Sequence, residues 1–111
     1  MFQQKGVLSM EIKQAAIVGT LESSDIQISI LPNPGKGLEI ELQSVVKTQY
    51  GDAIIATMTE VLESFGIQDA LVSAADRGAL EWVIRARMQA ACCRATGVNF
   101  DWKGEDRNAE G

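Results

Sequence analysis

Short segments near the start of the 111-residue chain alternate apolar and polar side chains, which is the period of a half-buried β-strand. The alternation is strictest over residues 26–30 and recurs over residues 38–43. Residues 13–21 are rich in β-branched and small apolar side chains and predict a strand before these two. Residues 22–25 form the turn between the first two strands, and residues 31–37, which hold both prolines, form the loop before the third. Three consecutive strands of this kind predict an antiparallel meander.

Further along the chain the apolar period lengthens to that of an α-helix. Residues 47–65 predict one helix and residues 79–96 a second, and Gly66 and Gly97 are placed to end them in a left-handed conformation. The residues expected to face the core are Tyr50, Ile54, Met58, Val61, Leu62 and Phe65 in the first helix, and Leu80, Val83, Ile84, Met88 and Ala91 in the second.

The order of the elements indicates the fold class. Residues 70–74 predict a short fourth strand, and residues 76–78 a turn before the second helix. The resulting order is β-β-β-α-β-α. It predicts an α+β fold, a mainly antiparallel four-stranded sheet with two helices packed on one face.

The length of the chain suits a single domain, which we place at residues 10–98. Residues 1–9 are interpreted as a leader or a cloning remnant, and residues 99–111 as a polar tail in which Phe100 and Trp102 dock. An uninterrupted apolar run of the roughly 20 residues that a spanning helix needs does not occur. We therefore expect a cytoplasmic protein without a membrane partner.

Charge and residue types restrict the function. A net charge of -5 without a dense Lys/Arg cluster argues against nucleic acid as a partner, and the absence of histidine disfavours an enzyme in its own right. Cys92 and Cys93 are adjacent on a predicted helix, so we expect buried, inert thiols and no disulfide or zinc site. The carboxylates expected on solvated faces are Glu39, Glu41, Glu60 and Glu63. The arginines expected to point mostly outward, as a docking patch or simply as cations suited to a helix C-terminus, are Arg85, Arg87 and Arg94.

A serine in the first turn is the remaining candidate for chemistry. Ser23 lies in residues 19–25, Gly-Thr-Leu-Glu-Ser-Ser-Asp, between the first two predicted strands. A hydroxyl on an exposed turn can be a point of covalent attachment. Serine, aspartate and glycine are also ordinary turn residues, and on local grounds alone a plain turn is the simpler interpretation.

Several separated blocks, taken together, carry a resemblance to a known family. Residues 19–25 are followed by residues 49–54, Gln-Tyr-Gly-Asp-Ala-Ile, then by residues 76–80, Asp-Arg-Gly-Ala-Leu, and residues 84–87, Ile-Arg-Ala-Arg. In this order and spacing, over about residues 10–97, the chain resembles the citrate lyase acyl carrier protein family, the gamma subunit of that complex.

The resemblance implies a role for Ser23. At the matching position the family carries phosphoribosyl-dephospho-coenzyme A through a phosphodiester, installed by a prosthetic-group transferase, and the terminal thiol of that group holds the acyl chain. The partners implied are the alpha subunit, which exchanges acetyl for citryl, and the beta subunit, which cleaves the citryl thioester to oxaloacetate and acetyl thioester. The chain itself would be a non-catalytic carrier with an α+β fold, unlike the four-helix bundle of fatty-acid-type carriers.

One departure concerns the residue after the modified serine, which is commonly glycine in the family and is Ser24 here. We expect Ser24 to lose access to positive φ and to be a second, less favoured attachment hydroxyl. Glu22 and Asp25 are expected to repel the phosphodiester and to keep the arm from folding back. Two alternatives stay open: the carrier subunit of malonate decarboxylase, and an α+β binding or regulatory module whose serine is never modified.

Overall fold

A four-stranded sheet and two helices form the part of the chain that the computed structural model describes, residues 10–98. The elements are β1 Ala16–Gly19, β2 Ile26–Leu31, β3 Leu38–Ser44, α1 Lys47–Ser64, β4 Ala70–Asp76 and α2 Glu81–Thr96. The predicted α+β class and the order of the elements are confirmed. The leader at residues 1–9 and the tail at residues 99–111, with the docking expected of Phe100 and Trp102, lie outside the described residues.

The strands are arranged in the order β1-β2-β4-β3. The first strand pairs with the second, and the second with the fourth, in antiparallel fashion. The third strand pairs in parallel with the fourth, so the predicted meander is wrong at this strand. A parallel pair needs a crossover connection, and α1, which joins β3 to β4, provides it. The fourth strand is thereby placed between the second and the third.

The core lies on one face of the sheet, where the two helices cover it. Ile26, Ile28 and Ile30 are fully buried, and the strand register places Ile28 beside Ala74 and Ile30 beside Val72 on the same face. The helix residues buried against this row include Met58 and Leu62 of α1 and Met88 and Ala91 of α2. Burial of each isoleucine contributes roughly 2 to 3 kcal/mol to the free energy of folding. The three isoleucines therefore hold β2 in the sheet, and β1 pairs with it.

The helices end where predicted, but two residues near the helix starts are exposed where burial was predicted. Gly66, with φ of 70°, lies one residue beyond the end of α1. Gly97, with φ of 80°, directly follows α2. Tyr50 was expected in the apolar stripe but is 58% exposed, because the first turns of α1 border a groove. Leu80 was expected to be buried on α2 but is 63% exposed, since it precedes the helix in an extended conformation.

The cysteines lie on α2, and their predicted burial is confirmed in full for Cys92 and only in part for Cys93. Cys92 is fully buried and Cys93 is half-buried. Burial, with a smaller contribution from the neighbouring thiol, raises the pKa of Cys92 to about 12. Burial also raises the pKa of Cys93. In the described part of the chain, neither helix is long and apolar enough to cross a bilayer.

Candidate functional site

The loop from Thr20 to Asp25 connects β1 to β2 at one end of the sheet and exposes both candidate serines. The backbone N–H of Asp25 donates to the carbonyl of Glu22 at 3.1 Å. This bond closes a four-residue turn with Ser23 and Ser24 at its centre. Both serines are exposed, so Ser23 is open to solvent at this turn.

Ser24 adopts a left-handed backbone conformation, with φ of 65°. The expectation that serine here loses access to positive φ is therefore wrong. Positive φ at the third residue of a turn is the geometry of type II turns, in which glycine is preferred. The Ser24 N–H donates to the Arg77 carbonyl at 2.9 Å, and the Arg77 N–H donates to the Asp25 carbonyl at 2.9 Å. These two bonds compensate for a strain of about 1 to 2 kcal/mol in a residue with a Cβ atom.

Asp25 ties the loop to α2 through a two-pronged ion pair. Arg87 donates from Nε at 3.0 Å and from Nη2 at 2.8 Å to the two carboxylate oxygens. Thr20 Oγ1 donates to Asp25 at 2.7 Å, and the Ile26 N–H donates to it at 2.7 Å. The hydrogen bonds from Arg87 and then from Thr20 hold the pKa of Asp25 well below its usual range, against the opposing effect of burial.

This ion pair corrects two expectations. Arg87 does not point outward into solvent but to the serine loop. The charge of Asp25 is paired and its side chain is only 13% exposed, so Asp25 is not the free, exposed carboxylate on which the expected repulsion of a phosphodiester depends. Of the two acidic residues in the loop, Glu22 is the exposed one.

Gly19 allows the chain to leave β1 and enter the loop. Its φ is 94°, and a Cβ atom at this position would collide with the carbonyl oxygen of Ile26. Thr20 follows, and its hydroxyl accepts a hydrogen bond from the Glu22 N–H at 3.1 Å while it donates to Asp25. The start and the end of the loop are thus held by the same threonine.

Asp76, which the sequence places in a turn and in one of the blocks that carry the family resemblance, also has a structural role. It is 2% exposed and accepts hydrogen bonds from Ser44 Oγ at 2.8 Å, the Gly78 N–H at 3.1 Å and the Ala79 N–H at 2.9 Å. The pattern Asp-Arg-Gly after an apolar strand could have indicated this capping role, because aspartate commonly bonds backbone amides a few residues on. Asp76 fixes the segment whose Arg77 carbonyl holds Ser24.

A groove of about 450 Å³ lies next to this segment, and we call it the apolar groove. One side is formed by the residue before α1 and its first turns, and the other by the segment from Gly78 into α2. The lining residues are Val46, Tyr50, Ala53, Ile54, Thr57, Gly78, Ala79, Leu80, Glu81 and Ile84. The apolar groove is therefore at the same end of the molecule as the segment that contacts the serine loop.

The other charged residues of α2 have partners within the chain. Arg85 pairs with Glu60 at 2.9 Å and with Glu81 at 3.0 Å, and Arg94 donates to the Ile17 carbonyl at 3.4 Å. The carboxylates predicted on solvated faces are exposed: Glu39, Glu41, Glu60 and Glu63. Over residues 10–98, the structure brings together no cluster of side chains that could hold a metal ion.

Comparisons with known proteins place the chain among carrier proteins. A family model described as malonate decarboxylase delta subunit (MdcD) matches residues 13–95. The citrate lyase acyl carrier protein of Streptococcus equi subsp. zooepidemicus is 47% identical over 98 residues, which cover 87% of this chain and 96% of that one. The citrate lyase acyl carrier protein of Weissella paramesenteroides is 52% identical over 89 residues, 80% of this chain and 91% of that one. The chain belongs to the citrate lyase acyl carrier protein family.

A solved structure supports the fold of this carrier. A chain of a Pseudomonas malonate decarboxylase hetero-tetramer, in complex with malonate, superposes with a TM-score of 0.65 at 20% identity, covering 75% of this chain and 84% of that one. An acyl carrier protein is a non-catalytic subunit, and its family implies a covalently attached prosthetic group and a multi-subunit complex. The 47–52% identity to citrate lyase carriers favours them over the malonate decarboxylase alternative.

Proposed function

We propose that the chain is the acyl carrier subunit of citrate lyase and that Ser23 carries phosphoribosyl-dephospho-coenzyme A through a phosphodiester. The observation that supports this most is the exposed Ser23 at the centre of a turn, in a chain that belongs to this carrier family. Ser24, one residue on, is the less favoured site, because its N–H and its φ are committed to the contact with Arg77.

The residues around Ser23 fit a group attached through phosphate. The Asp25 carboxylate is paired with Arg87, so it adds little repulsion next to a phosphodiester. Arg77 is exposed, and its backbone bonds with Ser24 and Asp25 place a positively charged residue against the loop. These contacts hold the turn open to the prosthetic-group transferase and give the attached group a rigid base.

When attached, the group supplies a terminal thiol that holds the acyl chain as a thioester. The protein's own part is to keep that thiol close to the alpha and beta subunits during the cleavage of citrate to acetate and oxaloacetate. Tethering raises the effective concentration of the acyl group at each partner, which free diffusion would not do. This role places the chain in the cytoplasm, in complex with those two subunits.

The test is reconstitution of the loaded chain with the alpha and beta subunits from its own operon, followed by assays of citrate cleavage and of malonate decarboxylation. We expect citrate cleavage only, its loss in Ser23→Ala, and its retention in the matched control Ser24→Ala. Malonate decarboxylation instead of citrate cleavage would favour the malonate decarboxylase carrier. Citrate cleavage by the Ser23→Ala chain would contradict the assigned residue.

A further inference from the structure

The apolar groove contains two residues that are exposed although the helical pattern of the sequence predicts that they are buried. Tyr50 and Leu80 are 58% and 63% exposed, and they stand on opposite sides of the same groove. Elsewhere on the two predicted stripes the residues are buried or half-buried. Sequence rules of this kind tend to fail at functional sites, where an apolar residue is kept for a ligand and not for the core.

The apolar groove is within short reach of the serine loop. The Ser24 N–H bonds the Arg77 carbonyl, and the next three residues after Arg77 all line the groove. Three residues span at most about 10 Å of chain. Asp76 accepts hydrogen bonds from the amides of Gly78 and Ala79, so this segment is held in place between the serine loop and the groove.

The volume and lining of the groove suit a flat aromatic base. A volume of about 450 Å³ lies within the range of small-molecule sites, roughly 300 to 1,000 Å³. Small residues, Ala53 and Ala79, form part of its walls, and the Tyr50 ring offers a surface for stacking. The Glu81 carboxylate also lines the groove and is 71% exposed; one of its oxygens pairs with Arg85 at 3.0 Å, and the other can accept a hydrogen bond from an exocyclic amine.

We propose that the apolar groove binds the adenosine portion of the group attached to Ser23. This inference rests on the proposed function. In phosphoribosyl-dephospho-coenzyme A the phosphoribosyl unit is at the serine end, the thiol is at the far end, and the adenosine lies between them. With the base held between Tyr50 and Leu80, the part of the arm beyond the adenosine remains free to reach each partner. The protein thus shortens the swinging part of the arm and keeps its origin fixed.

The experiment compares ¹⁵N-labelled chain with and without the attached group, after intact mass has established the adduct. We expect amide chemical-shift changes at residues 50–57 and 78–84 as well as at the serine loop, and nuclear Overhauser contacts from the adenine protons to Tyr50 and Leu80. In the Tyr50→Ala variant, the chemical-shift changes at the groove residues on attachment of the group should be several-fold smaller. The matched control is Ile17→Ala, an equally exposed apolar residue on the opposite face of the sheet. It should leave these shifts unchanged.

The outcomes separate the two proposals. An adduct with shifts confined to residues 22–25 would overturn the adenosine site and leave the carrier function intact. Groove shifts that arise only when the alpha or beta subunit is added would assign the groove to a protein partner and also overturn the inference. The absence of any adduct under modifying conditions would overturn the carrier function, and the adenosine site with it.

Discussion

At the scale of single residues, the geometry of the serine loop depends on the neighbours that follow Ser23. Ser24 occupies a backbone conformation that glycine adopts without strain, and the Asp25 carboxylate accepts four hydrogen bonds from three residues. The left-handed conformation of Ser24 destabilises the folded state, whereas the hydrogen bonds of Asp25 stabilise it. The stability of the loop can therefore be changed in either direction without touching Ser23.

Replacing Ser24 with glycine should leave the protein equally stable or more stable by up to about 1 kcal/mol. Relief of left-handed strain, about 1 to 2 kcal/mol, is partly offset by the greater freedom of glycine in the unfolded chain. Ser24→Val should be less stable than the wild type, because a β-branched residue is poorly accommodated at φ of 65°. Urea unfolding of the wild type and the two variants measures their order of stability. A Ser24→Val variant as stable as Ser24→Gly would contradict the left-handed conformation of Ser24.

Removing the charge of Asp25 should destabilise the protein and change its dependence on pH. At pH 7 we expect Asp25→Asn to cost about 1 to 2 kcal/mol, a moderate value because solvent reaches Arg87, which is 39% exposed. Because Arg87 and Thr20 lower the pKa of Asp25 in the folded state, the stabilisation is present above the ordinary value of 3.8 and is lost as the pH falls.

The measurement is the difference in free energy of unfolding between wild type and Asp25→Asn, followed from about pH 7 to pH 2. This difference in free energy of unfolding should become smaller as the pH falls below about 5. The control is Asp52→Asn, an exposed position on α1, which should change stability by less than about 0.5 kcal/mol. A difference that stays constant with pH would show that the ion pair does not contribute as described.

At the scale of elements, the β1–β2 hairpin depends on the glycine at its exit from β1. Gly19→Ala should cost more than about 2 kcal/mol, because it combines positive φ with a collision against the Ile26 backbone. Gly35→Ala is the matched control, with φ of 73° and open space where the Cβ atom would lie, so only about 1 kcal/mol is expected. Equal losses in thermal or urea unfolding would argue against the close approach at Gly19.

The sequence predicts the type and position of the elements well, but not their partners. Period-2 alternation identified β2, and the 3.6-residue period with Gly66 identified α1 and its end. The pairing of β3 with β4 is non-local, since α1 separates the two strands along the chain, and the alternation of β3 carries no information on its neighbour or direction. The alternation specified which face of β2 and of β3 is turned to the core, and the tertiary contacts decided the order of the strands.

The same limit applies to the site. Ser23 could be chosen from the sequence with the help of a resemblance, and its exposed turn is confirmed. The pairing of Arg87 with Asp25 joins residues 62 positions apart, which no local rule predicts. The exposure of Tyr50 and Leu80 depends on where α2 begins relative to α1.

At the scale of the whole molecule, the core should protect the protein's own thiols. Burial raises the pKa of the Cys92 thiol to about 12, which keeps it protonated near neutral pH, and the thiolate is the form that reacts. We expect iodoacetamide to leave Cys92 unmodified in the native protein and to alkylate it in urea, as measured by peptide mass. Cys93, half-buried, should react sooner. Alkylation of native Cys92 at the rate of a free thiol would contradict the described packing.

The central claim is that this carrier holds its prosthetic group on Ser23. The most direct measurement is the intact mass, with a fragment map across residues 22–25, of wild type, Ser23→Ala and Ser24→Ala chains treated with the matching transferase and its prosthetic-group donor. We predict one adduct on Ser23 in the wild type and in Ser24→Ala, and none in Ser23→Ala. An adduct that persists in Ser23→Ala and disappears in Ser24→Ala would contradict the account.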